Sequence, residues 1–134
     1  MRSLKLFAAF LFLLTISSSF FSCKKDPGTE RGTLPGTWKL TEVWSGIGNG
    51  TGNWGKVPES PEVKLTINQN GSVSGDMFTE VESFTVVDST HLQVQLKGAH
   101  TEQIITFVYA LAGNTLEIEG VCFEGCRYRF VKVK

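Results

Sequence analysis

Histidine is almost missing from this sequence: His91 and His100 are the only two. Nucleophilic catalysis at neutral pH needs a base within reach of a serine, threonine or cysteine. Here each imidazole sits in a turn or at a strand start, so no catalytic residue is assigned and no enzyme is expected. Neither histidine stands at ligand spacing from a cysteine, which removes the usual zinc arrangements. No metal site and no cofactor are expected. A charge excess is lacking as well, with 13 basic residues against 13 acidic ones. No Arg or Lys cluster is interleaved with aromatics, so nucleic acid is set aside as a partner. Long apolar runs are also absent. The longest, Leu6 to Ile16, is broken only by Thr15 and falls well short of the ~20 residues that span a bilayer as a helix.

That short run has a different use. Arg2 and Lys5 precede it, and Ser17, Ser18, Ser19, Phe20, Phe21, Ser22 and Cys23 follow it. A basic start, an apolar core and a small residue at the boundary make a secretory signal layout. Phe20-Phe21-Ser22-Cys23 resembles a loose lipobox of Bacteroidota lipoproteins, with Phe where the usual Leu stands. A cysteine is needed there because its thiolate attacks readily, becoming a diacylglyceryl thioether before the preceding peptide bond is cut. Residues 1–22 are therefore expected to be removed, leaving Cys23 lipidated and the protein attached to a membrane through that lipid. The expected location is the bacterial cell envelope, as an outer membrane lipoprotein. The alternative is an ordinary secreted protein with an incidental Cys23.

Removing 22 of the 134 residues leaves 112, with 11 basic and 13 acidic side chains. That is one domain's worth of chain. Residues 23–33 read as the lipidated N-terminus and a tether: Lys24 to Thr33 has no apolar periodicity and is rich in structure-breaking residues. Lys24 and Lys25 suit anionic headgroups; a plain solvated linker explains them equally well.

From Leu34 to Lys134 the apolar period is two, punctuated by turn residues about every ten positions. Gly36 to Ser45 reads as a first strand with Trp38, Leu40 and Trp44 on one face. Glu62 to Gln69 follows, and Asn70-Gly71 is the two-residue turn signal that leads into Ser72 to Thr79. Ser83 to Val87 and His91 to Lys97 form a hairpin around Asp88-Ser89-Thr90. Gln103 to Leu111 and Thr115 to Cys122 pair across Ala112-Gly113-Asn114, and Cys126 to Val133 closes the chain. About eight sequential strands with short connections and no covering helix predict an all-β, single antiparallel up-and-down barrel, whose closure removes exposed edges. A flattened two-sheet sandwich satisfies the same alternation.

Leu34-Pro35-Gly36-Thr37-Trp38-Lys39-Leu40 resembles the Gly-x-Trp opening of lipocalins and of the lipocalin-like domains of Bacteroidota lipoproteins. The stretches Leu65-Thr66-Ile67 to Gly71-Ser72-Val73 and Leu116-Glu117-Ile118 to Cys126 fit that second group too. The resemblance implies a calycin-type barrel with Trp38 at the closed end under a basic side chain of the last strand, supplied by Arg127 or Arg129. It also implies a large first loop over the mouth. Gly46 to Pro61, rich in Gly and Pro around Trp54, occupies that place, so Trp54 is either an aromatic lid or a cover for an apolar rim. The chain is shorter than lipocalins proper and lacks their helix after the barrel.

Function follows as an expectation with alternatives. The first is a barrel binding a small apolar ligand, with Trp44, Trp54, Phe78, Phe107, Tyr109, Tyr128 and Phe130 as pocket or core residues. The second is a structural or interaction lipoprotein with a filled barrel, and an enzyme is a distant third. Glu80 with Glu82, and Glu117 with Glu119, share strand faces, a pattern too common to assign as an acid–base couple. Cys122 and Cys126 flank Phe123-Glu124-Gly125, the length of a three-residue hairpin loop. Such a loop sets the two opposite each other near disulfide spacing, and an exported protein favours the bond. Redox chemistry is the alternative, though the spacing is C-x-x-x-C. Thiol titration of the unfolded, unreduced protein is expected to find neither cysteine free; two free thiols would remove the pairing.

Overall fold

A computed structural model describes residues 32–46, 50–98, 104–121 and 125–133. The signal segment, Cys23, most of the tether, His100 and Cys122 lie outside the described residues. Those described contain nine strands and no helix: β1 (Gly36–Gly46), β2 (Gly52–Lys56), β3 (Lys64–Ile67), β4 (Val73–Gly75), β5 (Val81–Val86), β6 (His91–Leu96), β7 (Ile105–Ala112), β8 (Thr115–Gly120) and β9 (Cys126–Lys132). Eight of them form one antiparallel sheet in the order β4-β3-β1-β9-β8-β7-β6-β5. The last strand returns to the first, and the sheet is nearly closed into a barrel. At the remaining seam Ser72 bridges Ser83, and the Phe84 amide donates to the Gly71 carbonyl at 2.9 Å.

Alternation builds the interior. In β6, Leu92 and Val94 are buried while Gln93 and Gln95 are exposed. Trp38, Leu65, Leu92, Leu116, Ile118 and Phe130 are wholly inaccessible, and no polar or charged residue is buried among those described. Each such aliphatic or aromatic side chain contributes about 1.5–3 kcal/mol by leaving water.

Two expectations about β1 fail. Its register against β9 runs Trp38↔Lys132, Leu40↔Phe130, then Glu42↔Arg129 and Val43↔Tyr128, with an irregularity between Leu40 and Glu42. Thr41 is the extra residue, its hydroxyl donating to the Arg129 carbonyl at 3.1 Å. A bulge of one residue reverses the facing of everything after it. Trp38 and Leu40 point inward, whereas Glu42 and Trp44 point outward, so Trp44 does not share their face. The same register corrects the partner of Trp38. Arg127 and Arg129 alternate onto the outer face of β9, and the inward-facing cation opposite Trp38 is Lys132. Its Nζ lies 4.9 Å from the Trp38 ring centre and donates to the Thr33 carbonyl (2.7 Å) and hydroxyl (2.9 Å). Trp38 Nε1 donates to the Leu34 carbonyl at 2.9 Å. Residues 32–35 thus form a strap across one end of the barrel, here called the strap end.

The first connection, expected as an irregular loop, contains β2. It pairs with the outer half of β1 from Glu42↔Lys56 to Gly46↔Gly52, making an arm at the opposite end. The Asn70-Gly71 turn is also longer than expected. Asn68 and Ser72 close a three-residue loop, with the Asn68 amide donating to the Ser72 carbonyl and the Gly71 amide to the Asn68 carbonyl, both at 2.9 Å. Gly71 alone takes the positive φ, at 84°, which is the bulged three-residue form of hairpin. β4 ends at Gly75, short of Thr79, because the chain then dives inward: Phe78 has φ 54° and its ring enters the barrel.

The β5–β6 turn is organised by one carboxylate. Asp88 Oδ1 accepts from the Thr90 amide (2.7 Å), the Thr90 hydroxyl (2.9 Å) and the His91 amide (2.8 Å), while Oδ2 lies 2.9 Å from His91 Nδ1. The backbone hydrogen bond from Thr90, then the contact with His91, lowers the Asp88 pKa from 3.8 to about 2. A depressed folded-state pKa contributes stability above the unfolded value and loses it as pH falls through the folded one. Asp88→Asn is therefore expected to be less stable than the parent at pH 6, with the difference shrinking between about pH 4 and 2. Urea midpoints across that range check it; a gap independent of pH would contradict the ionic role.

Candidate functional site

On the outer wall, the reversed facing of β1 brings together residues that strict alternation would have separated. Trp44 on β1 is directly opposite Trp54 on β2, with ring centres 5.7 Å apart and planes at 69°. From the other flank, β9 contributes Arg129, whose guanidinium carbon lies 4.0 Å from the Trp54 ring centre, and Arg127, 5.6 Å from that of Trp44. Stacking on an indole face contributes about 0.5–2 kcal/mol, more as the cation is desolvated.

Carboxylates from two strands hold the arginines. Arg129 Nη1 donates to Glu42 of β1, and Nη2 donates to Glu117 Oε2 of β8 at 3.2 Å. The hydrogen bond that Arg129 donates to Glu42 is the main reason the Arg129 pKa is raised, with Glu117 adding to it. Arg127 Nε is 2.9 Å from Glu119 Oε2. That contact is an ion pair rather than an aligned hydrogen bond, since the buried Nε–H has no acceptor on its own axis. The run Glu119, Arg127, Trp44, Trp54, Arg129, Glu42 and Glu117 is thus continuous across four strands. Gly52 makes the close approach possible: a β-carbon there would lie 2.5 Å from the Ser45 carbonyl oxygen and 2.7 Å from the Trp44 ring.

No family model, curated protein or solved structure matches this chain.

The expected pocket residues divide between two places. Trp44 and Trp54 lie on the outer wall. Phe78, Phe107 and Tyr128 lie inside, where Phe78 meets Phe84 at 5.9 Å, Phe107 at 5.6 Å, Tyr128 at 5.6 Å and Phe130 at 6.5 Å between ring centres. Tyr109 is buried nearer the strap end, its hydroxyl donating to the Asp88 carbonyl at 3.1 Å. Arg127 and Arg129 serve the outer wall instead of Trp38. Cys23 and Cys122 fall outside the described residues, while Cys126 opens β9 opposite Gly120 and not opposite Cys122, as the three-residue loop had implied.

A depression of about 240 Å³ opens beside the barrel seam, with Leu34, Ile67, Phe84 and Val86 as its apolar lining and Asn68 and Asn70 on its rim. It lies at the strap end, away from the first connection.

Glu42, Glu117, Glu119 and Lys132 were not singled out as partners from the sequence. The three-residue loop expected between Cys122 and Cys126 would set Glu119 across from Arg129; the observed register, Gly120↔Cys126, is shifted by two and sets Glu117 across from Arg129 and Glu119 across from Arg127, opposite charges at facing positions. Glu42 carried no local signal, because its facing depends on the bulge. A double-mutant cycle of Trp54→Ala and Arg129→Met is expected to give a coupling of about 0.5–2 kcal/mol in urea unfolding. Additive effects would show that the stacked pair contributes nothing.

Proposed function

We propose that this chain is an envelope lipoprotein held to its membrane through lipid on Cys23, whose barrel is a filled, rigid body acting through its outer surface. The single observation that carries the filled-barrel reading is Phe78. It is placed in the left-handed region, unusual for a bulky residue, and its ring contacts four other aromatic rings inside the barrel. An eight-stranded bore is just wide enough to be filled by side chains or to hold one small ligand. The aromatic cluster, with Val57, Val63 and Met77 packed against it, takes the space beneath the first connection where an apolar ligand would enter. This favours the interaction lipoprotein over the ligand carrier.

The outer wall supports the same reading. Tryptophan and arginine are the side chains that most often dominate protein interfaces, and here they are fixed in place by carboxylates on neighbouring strands. Cys122 and Cys126, if bonded, pin the hairpin that delivers Arg127 and Arg129. The signal layout before Cys23 and the tether after it support the anchored part of the proposal.

Titration with anilinonaphthalene sulfonate and with a long-chain fatty acid is expected to show no saturable site in the parent protein. Phe78→Ala, which leaves a large internal void and costs about 3–5 kcal/mol, is expected to acquire one. Stoichiometric binding by the parent would restore the ligand-carrier reading. Intact mass of protein taken from its own membrane is expected to begin at Cys23 with a diacylglyceryl adduct.

A further inference from the structure

The two ends of the barrel differ in charge. At the arm end, the connections carry Glu59, Glu62, Asp76, Glu80 and Lys97. At the strap end, the described residues 32–35, 68–72, 87–90, 113–114 and 132–133 carry two charged residues, Asp88 and Lys132. The Asp88 carboxylate is already satisfied by the Thr90 and His91 amides and the His91 ring. Lys132 is clamped on the Thr33 carbonyl and hydroxyl. The same end exposes Val86 (54%), Val87 (59%) and Val133 (41%), and the other polar groups of these described residues are uncharged amides and hydroxyls. Bringing such a surface to a lipid headgroup layer desolvates two charges, both already held by protein partners, whereas doing so with the arm end desolvates five.

Chain length points the same way. Gly32 lies at the strap end, so close to the Gly113 carbonyl that a β-carbon there would overlap it. Eight residues lie between Cys23 and Gly32, a reach of at most about 30 Å over the nine backbone steps when fully extended. The eleven residues of β1 span about 36 Å along the strand, or about 27 Å of barrel height at the usual tilt. To set the arm end on a bilayer, the segment would have to run taut along the entire wall. The strap end needs none of that.

We propose that the strap end is a bilayer-docking face, with Val86, Val87 and Val133 resting in the headgroup region and the Trp44–Trp54 wall and arm directed away from the membrane. This rests on the reading of Cys23 as the lipid anchor. The occupant is a lipid surface, because the anchor would hold that surface within reach of this end.

The test uses the full lipidated protein, its mass verified, in phosphatidylcholine vesicles with and without bromine on the acyl chains. Val87→Trp and Val133→Trp report on the strap end and Ile104→Trp on the opposite end; all three replace exposed residues, Ile104 being 71% accessible. With the parent signal subtracted, bromine is expected to reduce the added emission roughly twofold at 87 and 133, as for side chains seated at the headgroup–acyl boundary, and to leave it unchanged at 104. Equal quenching at all three, quenching at 104 alone, or none at any position in a protein of lipidated mass would overturn the docking face and leave the anchor standing. A mass without lipid on Cys23 would overturn the anchor, and the docking face with it.

Discussion

The bore of an eight-stranded antiparallel sheet is the constraint on which this molecule turns. Closing the sheet removes its edges, but it leaves a channel that water would occupy unless side chains from every strand meet near the axis. Inward residues from all eight strands, Trp38 and Phe130 among them, do most of this. The connection between β4 and β5 completes it by turning Phe78 inward at a backbone angle that a bulky residue seldom adopts. A left-handed conformation costs on the order of 1–3 kcal/mol, and burying a phenylalanine ring among other rings offsets it. Among the described residues no polar or charged side chain is buried in the interior that results, Lys132 standing at its strap-end rim, so the polar groups able to recognise anything else sit on the outside.

The outside is arranged by a local event in β1. With the extra residue at Thr41, one strand supplies Trp38 and Leu40 to the core and then, without leaving the sheet, Glu42 and Trp44 to the wall. The wall is consequently an electrostatic lattice laid over aromatic rings, and its parts come from β1, β2, β8 and β9. Since β1 and β9 are the strands that join the beginning of the barrel to its end, the lattice also ties the closure from outside, while Trp38 and Lys132 tie it from within.

Much of this was legible in the sequence. The period-two pattern identified all eight barrel strands in order, because β-strand facing is a property of neighbouring residues and needs no knowledge of the fold. The β8–β9 charge pairing was half legible: alternation puts Glu117, Glu119, Arg127 and Arg129 on one face, but the expected three-residue loop would have set Glu119, not Glu117, opposite Arg129. What escaped was everything that depends on one strand's position against a distant one. The bulge at Thr41 is set by how eleven residues of β1 meet a β9 some ninety positions away, and no local pattern marks it. β2 was hidden for a related reason: Gly52, Asn53 and Gly55 are poor strand formers, and they are held extended by pairing with β1. Phe78 read as a candidate pocket residue by composition, and its role as the filling became visible only once its backbone angle was known.

The strap end adds a mechanical property. Lys132 grips Thr33, and the Trp38 indole grips the Leu34 carbonyl, just before the chain enters β1. β1 is bordered by β9 on one side and by β3 and β2 on the other. A tug arriving through the N-terminal segment would therefore first load these polar clamps. It would then run parallel to a strand whose hydrogen bonds, resisting side by side, must slide together instead of parting one after another. A pull on the first strand would thus be shared by the whole ladder at once.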